Sequence, residues 1–409
     1  MLVALALLCA APSFADDTDL DALVAEARDR PRVRAQQSRA EAEAERARVA
    51  GAWSDPMLSV EYSNVRVDNP VLSGHPMSGL QFRVQQGLHL PGWSAAAREV
   101  GKARVAMAGS QADELALRAE IAVREPWWRL TRERLQAKVT AAHLQRTREL
   151  LSAAESRYAT GAIGQHAVLR LTVERDRLEE RLADHGAEEI RLRTLLAAAL
   201  GRDELPEVET PDSVPPLPVP AGPADPSRPQ LDALEAGARI AEARAEQLRI
   251  DARPDVNVWA GYRLRTINTA MDDGADLIAL GVGVPLPIAS TRKASAERAA
   301  AILDARDLRL QGEDLRVELT AGWASIRERW DRSAAKTRAY DQRLLPAAEA
   351  MLSTTRSDFS TGRASFADLL EAERALLELE RARIDAAVQT HLYAVEALGL
   401  LGRLPQEVP

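Results

Sequence analysis

The sequence predicts a mainly α-helical protein with a small membrane β part, built from two tandem repeats of the order helix, strand, strand, long helix, helix. Its composition favours long helices packed through small side chains, because aromatic residues make up only 4% of the 409 residues while Ala, Leu, Arg and Glu dominate. Two pairs of short stretches alternate apolar and polar residues, which is typical of strands. Two similar turns interrupt otherwise helix-forming sequence, and these turns reveal the repeat.

The repeat is clearest at the turns. "YATG" ends at Gly161 and "FSTG" ends at Gly362, so an aromatic residue, a small residue, Thr and Gly follow one another in both. The offset of 201 residues that aligns these glycines also aligns the "LGR" at 200–202 with the "LGR" at 401–403 without a gap. We therefore expect a first repeat at 16–202, a second at 230–403 and a C-terminal tail at 404–409.

Residues 1–15 predict a signal peptide. An apolar run at 2–11 precedes a Ser-Phe-Ala at 13–15, which has the small-x-small pattern of a cleavage site. The alternative, a buried first helix, is disfavoured by Pro12 and by the acidic pair that follows the predicted cut. Cleavage would remove Cys9, the only cysteine, and leave a chain without thiols, which suits an oxidising compartment.

Each repeat starts with an Ala-rich helix, at about 20–50 and about 229–250, and continues with two strands. The predicted strands lie at about 57–67, 80–90, 256–266 and 277–286. In "LQFRVQ", for example, the apolar Leu80, Phe82 and Val84 alternate with polar residues. Period-two sequence of about ten residues fits a tilted membrane-spanning strand. It fits a half-buried soluble sheet equally well, and the signal segment together with the long helices favours the membrane.

A very long helix and a return helix follow each strand pair. The long helices are predicted at about 94–160 and 290–360, and the return helices at about 165–201 and 365–402. A helix of roughly 67 residues is about 100 Å long and must pack against others along its length. Pro126 should kink the first long helix. Between the repeats, residues 203–229 contain nine prolines and predict an extended linker rather than a fold.

The Thr-Gly turns are predicted to be hairpin tips, where a long helix ends and the return helix begins. Gly161 and Gly362 permit the left-handed conformation by which a chain leaves a helix. At the second tip, Ser365 and Asp368 have the spacing of an N-cap residue and an N3 acid. The first tip has Gly164 at the cap position and lacks this device.

This plan resembles the TolC family of outer-membrane efflux proteins over nearly the whole chain after residue 15. The resemblance rests on the aromatic-x-Thr-Gly turns, the duplicated strand pairs and the Leu-Gly-Arg helix ends. The first strand pair is similar to the branch that serves heavy-metal efflux, and the residues that carry this similarity are Asp55-Pro56-Met57-Leu58, Pro76-Met77, Gln86 and Pro91-Gly92. The sequence departs from that branch at His89, where Pro is usual, and at Trp93, where Lys is usual.

The resemblance implies a homotrimer in which four strands per chain complete a 12-stranded β-barrel and the helices form a tunnel. It implies a place in the outer membrane with the helical part in the periplasm. Its partners would be outer-membrane lipid, a periplasmic adaptor (membrane fusion) protein and an inner-membrane RND-type pump. Physical chemistry supports the trimer independently, since four strands cannot close a barrel alone and open sheet edges are not tolerated in lipid.

The resemblance also assigns site residues, because the family meets its adaptor at the periplasmic tips. The implied docking residues are Tyr158, Thr160, Gly161, Phe359, Thr361, Gly362 and Arg363. The acidic pair that the family places after the second turn falls on Asp368 and Glu371, which share one helix face. Three chains would form carboxylate rings that favour cations, as a periplasmic gate. A purely structural reading stays open, with Asp368 as an N3 residue and Glu371 as a solvated acid near a helix N-terminus.

No catalytic or cofactor-binding pattern occurs in the sequence, and we expect neither an enzyme nor a cofactor. The six histidines are scattered, and no Gly-rich phosphate loop is present. The net charge of -8, with both signs interspersed, predicts no nucleic-acid surface. Met57 and Met77 are more typical of packing than of a metal site, and we expect no bound metal.

Two other classes of envelope protein contain long helices. A periplasmic adaptor has one helical hairpin flanked by small β domains, and a structural coiled coil would lack the strands and show sustained heptads. The duplicated strand pairs argue against both classes. The transported compound is not predicted by this sequence.

Overall fold

The computed structural model describes residues 18–65, 67–68, 78–204, 207–220, 225–253, 255–265, 275–285 and 290–404. The predicted signal peptide, Cys9, Met77 and most of both strand-joining segments lie outside these ranges. The chain divides into two compact units, each with segments from both repeats. The helical unit comprises Met1–Ala35, Ala112–Pro229 and Arg316–Pro409, and the sheet unit comprises Gln36–Gln111 and Gln230–Leu315.

The described chain is mainly helical with one small sheet, as predicted. Its elements in order are α1 (Thr18–Arg28), α2 (Pro31–Arg48), β1 (Met57–Ser63), β2 (Gly79–Leu88), α3 (Trp93–Ala159), α4 (Gln165–Leu200), α5 (Pro229–Asp251), β3 (Val256–Leu264), β4 (Leu277–Gly283), α6 (Ser290–Ala339), a π-helical turn (Tyr340–Leu344), α7 (Leu345–Ser360) and α8 (Phe366–Leu401). Among the described helices, none is both long enough and apolar enough to cross a membrane.

Proline explains two interruptions that the sequence reading did not place. The single helix predicted at about 20–50 is instead two helices, α1 and α2. Helix α2 begins at Pro31, where the missing N–H of proline removes no hydrogen bond from the helix. The second long helix contains the π-helical turn immediately before Pro346, and there the Leu345 N–H donates to the Tyr340 carbonyl five residues back. Proline cannot donate and its ring crowds the preceding turn, so a local change of register relieves the conflict. By contrast, α3 continues through Pro126 as one helix.

The four strands form one antiparallel sheet in the order β1-β2-β3-β4. Its central pairing, from Leu80 with Leu264 to Leu88 with Val256, joins a strand of the first repeat to a strand of the second. Strands β1 and β4 are the two edges. The sheet therefore depends on both repeats, and neither repeat supplies more than half of it.

The two faces of the sheet have the opposite exposure from those of a water-soluble sheet. Most side chains of one face, which we call the apolar face, are exposed. Its large exposed apolar residues are Leu58, Val60, Tyr62, Phe82, Val84, Tyr262, Leu264, Ile278, Leu280 and Val282. Leu280 is 78% exposed, whereas Gln81 on the other, polar face is only 7% exposed. Soluble sheets bury their apolar side and leave the polar one in water.

The Pro-rich linker packs into the helical unit, although its described part contains no helix or strand. Val208 and Val214 are buried in a core cluster with residues of α1, α3, α4 and α8. The Leu217 N–H donates to Thr390 Oγ1 at 2.9 Å, and the buried Trp330 indole donates to the Leu217 carbonyl at 2.9 Å. These contacts fix the linker to α6 and α8, so it is part of the core rather than a free spacer.

Side-chain contacts that involve buried polar groups also hold the helices of this unit together. His143 of α3 is 3% exposed, and its Nε2 lies 2.8 Å from a carboxylate oxygen of Glu380 on α8. On α8, the buried Glu373 accepts a hydrogen bond from Arg356 of α7 at 2.7 Å. Three helices are thereby tied side by side, which limits the motion of the hairpins that end at the tips.

In the sheet unit, the two residues that depart from the heavy-metal branch contact each other. The rings of His89 and Trp93 are stacked with centroids 3.8 Å apart and planes inclined by 14°. His89 Nδ1 also lies 3.2 Å from Asp255 Oδ1. The two departures are therefore one local arrangement, formed between the end of β2 and the start of α3.

Candidate functional site

The candidate site consists of the first tip, residues 158–164, and the second tip, residues 359–365, both in the helical unit. At each tip the glycine N–H donates to the carbonyl of the aromatic residue three positions earlier, at 2.9 Å in the first and 3.1 Å in the second. Gly161 has φ 73 and Gly362 has φ 77, so both adopt the left-handed conformation expected from the sequence. The two tips thus reverse the chain by the same backbone mechanism.

The tip glycines border open space. A Cβ placed on Gly161 or on Gly362 would meet no heavy atom within 4 Å. The neighbouring threonines are exposed, but their hydroxyls bond back to the turn, since Thr160 Oγ1 donates to the Arg157 carbonyl and Thr361 Oγ1 donates to the Asp358 carbonyl, both at 3.0 Å. Each of these carbonyls also accepts a backbone N–H from beyond the turn, from Ala162 at 2.9 Å and from Arg363 at 2.8 Å. The glycines therefore present bare backbone, while the threonines support the turn.

The second tip contains the predicted capping box. The Asp368 N–H donates to Ser365 Oγ at 3.2 Å, and the Ser365 N–H donates to Asp368 Oδ2 at 2.8 Å. The Ser365 hydroxyl and N–H, both donating to this carboxylate, lower the pKa of Asp368 below its ordinary value. Helix α4 begins at Gly164 without a side-chain cap, which also agrees with the sequence. Asp368 is therefore an ionised group with a structural task.

The other charged residues of the second tip take no part in the capping box. Arg363 Nη2 lies 2.9 Å from Asp358 Oδ1, so this arginine forms an ion pair before the turn and not with the acids after it. Glu371 is exposed on α8. Asp368 and Glu371 lie on the same helix within its first turns, and only the former is engaged by the cap.

The two aromatic residues at the tips differ in exposure. Tyr158 is 47% exposed. Phe359 is half-buried, because its ring packs edge-on against Phe366 at 4.4 Å and the Arg157 guanidinium lies 5.1 Å from its centroid. Arg157 precedes the first tip and Phe359 begins the second, so this contact joins the two hairpins. Sequence reasoning missed Arg157, whose only signal was its place next to Tyr158.

Metal-binding chemistry has no evident place in the part of the chain that the structure describes. Within those residues, no group of three or more His, Cys, Asp or Glu side chains could hold a metal ion. Met57 is exposed at the start of β1.

Comparison with known proteins agrees with this architecture. The family described as outer membrane efflux protein matches residues 224–402, which is the second repeat with the end of the linker. None of the curated proteins matches the chain in sequence. A membrane protein from Pseudomonas aeruginosa is similar in structure, with a TM-score of 0.76 and 18% identity, covering 95% of this chain and 94% of that one.

Two further solved structures share the fold. The outer membrane protein VceC from Vibrio cholerae gives a TM-score of 0.72 at 19% identity, covering 94% of this chain and 96% of that one. The transmembrane channel CusC gives 0.71 at 16% identity, covering 95% and 93%. The resemblance to outer-membrane efflux proteins predicted from the sequence is confirmed, and so is the fold class. The matching family and the neighbours are efflux proteins and channels, not enzymes.

Proposed function

We propose, on the premise of this resemblance, that the protein is the outer-membrane exit duct of a tripartite efflux system. It conducts substrates passively to the outside, after an inner-membrane pump and a periplasmic adaptor have delivered them. The observation that carries the proposal is the inverted sheet, whose apolar face is exposed and whose polar face is partly covered. In a bilayer, that apolar face would meet lipid and lose its contact with water.

The edges of the sheet argue for a barrel shared between copies, and the resemblance implies that the copies are three. Strands β1 and β4 each have one unpaired side within the chain, and unpaired backbone groups in hydrocarbon cost several kcal/mol each. Pairing β4 of one copy with β1 of the next removes every edge, and three copies then give the 12 strands of a closed barrel. A closed barrel also encloses the polar faces, which would line a passage.

Membrane fractionation tests the duct against its rivals. Inner and outer membranes are separated, and the protein is run unheated on a denaturing gel. An outer-membrane, detergent-resistant trimer that conducts ions in a planar bilayer is the expected result. A soluble monomer would overturn the proposal and favour a periplasmic adaptor or a structural coiled coil.

The tips are the proposed docking surface for the adaptor. They combine an exposed Tyr158 with two stretches of backbone at Gly161 and Gly362 that nothing in the described chain covers. Bare backbone allows a partner helix to approach closely, and any side chain placed there would keep it away. The threonine hydroxyls and the half-buried Phe359 stabilise the turns, and Arg363 with its ion pair borders the surface.

Tryptophan substitution at the tip glycines tests docking. Gly161→Trp and Gly362→Trp should abolish efflux yet leave the trimer intact, because the added side chain points into open space. The left-handed backbone costs about 1–2 kcal/mol for a residue other than glycine, a small part of the stability of a folded unit. Gly161→Asn and Gly362→Asn are the matched controls, since Asn tolerates this conformation and is small. Normal efflux in the tryptophan variants would contradict the docking role.

Asp368 and Glu371 are the proposed periplasmic gate residues. Three copies would bring six carboxylates to the narrow end of the passage, where they would favour cations. Asp368→Asn keeps an oxygen for the cap and Glu371→Gln keeps the shape of the side chain, so neither should prevent assembly. The double variant should shift the reversal potential of the trimer in a KCl gradient towards anion preference in bilayer recordings. An unchanged preference would leave both acids with structural or solvating roles only.

The substrate proposed for a first test is a heavy-metal cation, because of the Asp-Pro-Met-Leu and Pro-Met similarity in the first strand pair. Deleting the gene and measuring tolerance to copper, zinc, cobalt and several antibiotics separates the candidates. Loss of metal tolerance alone would support the metal. Loss of antibiotic tolerance alone would refute it.

A further inference from the structure

The polar face of the sheet carries two arginines and a tryptophan that the general function of a duct does not require. In the β2–β3 register, Gln81 pairs with Arg263, Arg83 with Gly261 and Gln85 with Trp259. Residues that pair across strands share a face, and alternate residues along a strand return to it, so all of these lie on the polar face. We call Arg83, Trp259 and Arg263 the cationic layer.

Arg83 and Trp259 form the centre of this layer. The Arg83 guanidinium carbon lies 4.9 Å from the centroid of the Trp259 ring, within cation–π distance. Arg83 Nε is buried and has no hydrogen-bond partner within the described residues. The indole lies so close to Gly281 on β4 that a Cβ there would come within 2.2 Å of it. Only glycine at this position lets the indole lie against the strand, so the placement of the ring is specified by the sheet.

Arg263 completes the layer and is also held in place. Its Nη2 donates to Gln81 Oε1 at 2.7 Å, and Gln81 is buried. The four strands carry one acid on the polar face, the exposed Glu61. The face therefore has a net charge of about +1 per chain, or about +3 in a trimer, which draws anions towards it and opposes cations.

We propose that the cationic layer faces the passage and binds planar organic anions, and that it makes the barrel prefer anions to cations. Guanidinium groups donate paired hydrogen bonds to carboxylates, sulfonates and phosphates. An indole stacks on flat rings. Together they match an aromatic anion, so among the candidates of the tolerance test the layer favours an organic anion over the heavy-metal cation. This inference rests on the proposed duct and narrows the chemistry of what leaves through it.

Bilayer recordings of the full-length trimer test the layer. The probe is pyrene-1,3,6,8-tetrasulfonate, a flat aromatic anion. It is added to the compartment opposite the helical part of the trimer, into which the barrel opens. The wild-type trimer should be blocked, and Arg83→Gln or Arg263→Gln should weaken the block about tenfold, as expected for one charged hydrogen-bonding group. Both variants should shift the reversal potential in a KCl gradient towards cation preference. Trp259→Leu should weaken the block without moving the reversal potential.

Conservative variants and assembly controls separate the outcomes. Arg83→Lys keeps the charge and should keep the reversal potential, and an unheated gel shows whether each variant forms trimers. If Arg83→Gln fails to assemble, Arg263→Gln carries the test. A conducting trimer whose block and reversal potential are unchanged in the glutamine variants would overturn the layer and leave the duct standing. A wild-type trimer that conducts no current would overturn the duct itself, and the layer with it.

Discussion

A lysine on the apolar face of the sheet distinguishes lipid from water around it. Leu280 is the central residue of β4, is 78% exposed and pairs with Ala260 of β3. If the sheet lay in water, Leu280→Lys would change the free energy of unfolding by less than about 0.5 kcal/mol, as at most exposed positions. If it lies in a bilayer, the same lysine costs about 2–4 kcal/mol per chain near the midplane, or about 6–12 kcal/mol per trimer.

The adjacent residue supplies the matched control. Ala279 is also exposed but points to the polar face, where it pairs with Gly261. Ala279→Lys places the same charge on the same strand and should leave assembly close to normal. The assay is the amount of trimer in the outer membrane and the temperature at which it dissociates on a gel. Leu280→Lys should reduce both strongly. Equal behaviour of the two variants would refute the membrane location of this sheet.

The remaining predictions concern the helical unit. Trp330→Phe removes the donor to the Leu217 carbonyl and leaves that buried oxygen without this partner. The free energy of unfolding, measured in circular-dichroism melts, should therefore fall by about 1–3 kcal/mol. Trp53→Phe, at an exposed position, is the control that should not change, and equal shifts in the two variants would contradict the reasoning. Burial lowers the pKa of His391 from 6.5 to about 4. An unfolded chain then binds more protons below pH 6.5, so stability should fall by about 3 kcal/mol as pH drops from about 6.5 to about 4. His391→Gln should flatten this slope, and an unchanged slope would exclude His391 as its cause.

Local sequence predicted the tips well because local interactions build them. The left-handed glycines and the capping box of Ser365 and Asp368 depend on residues within four positions of one another, so a short stretch contains the whole instruction. The strand faces were predictable for a similar reason, since alternation alone decides which side chains share a face. The glycine turns and the strand faces, unlike the capping box, are features for which the repeat in sequence is also a repeat in structure.

Contacts between distant segments could not be read in this way. The pairing of Arg157 with Phe359 joins residues about two hundred positions apart, and neither residue has a neighbour that signals the other. His143 likewise gave no sign that it would be buried beside Glu380. The π-helical turn had a visible cause in Pro346, but the sequence did not show where the register of the helix would change. Such features can be predicted only from the way several helices pack together, because the residue pattern of one helix does not contain them.

The packed linker has a consequence for how the protein could be divided. Residues 207–220 are held to α6 and α8 by a buried tryptophan, a threonine and an apolar cluster, in addition to the peptide bonds at either end. The halves of this duplicated chain should therefore recognise each other as separate polypeptides. Co-expressed fragments that end and begin near residue 222 would reassemble by complementation, with the prolines of one fragment seated on the helices of the other.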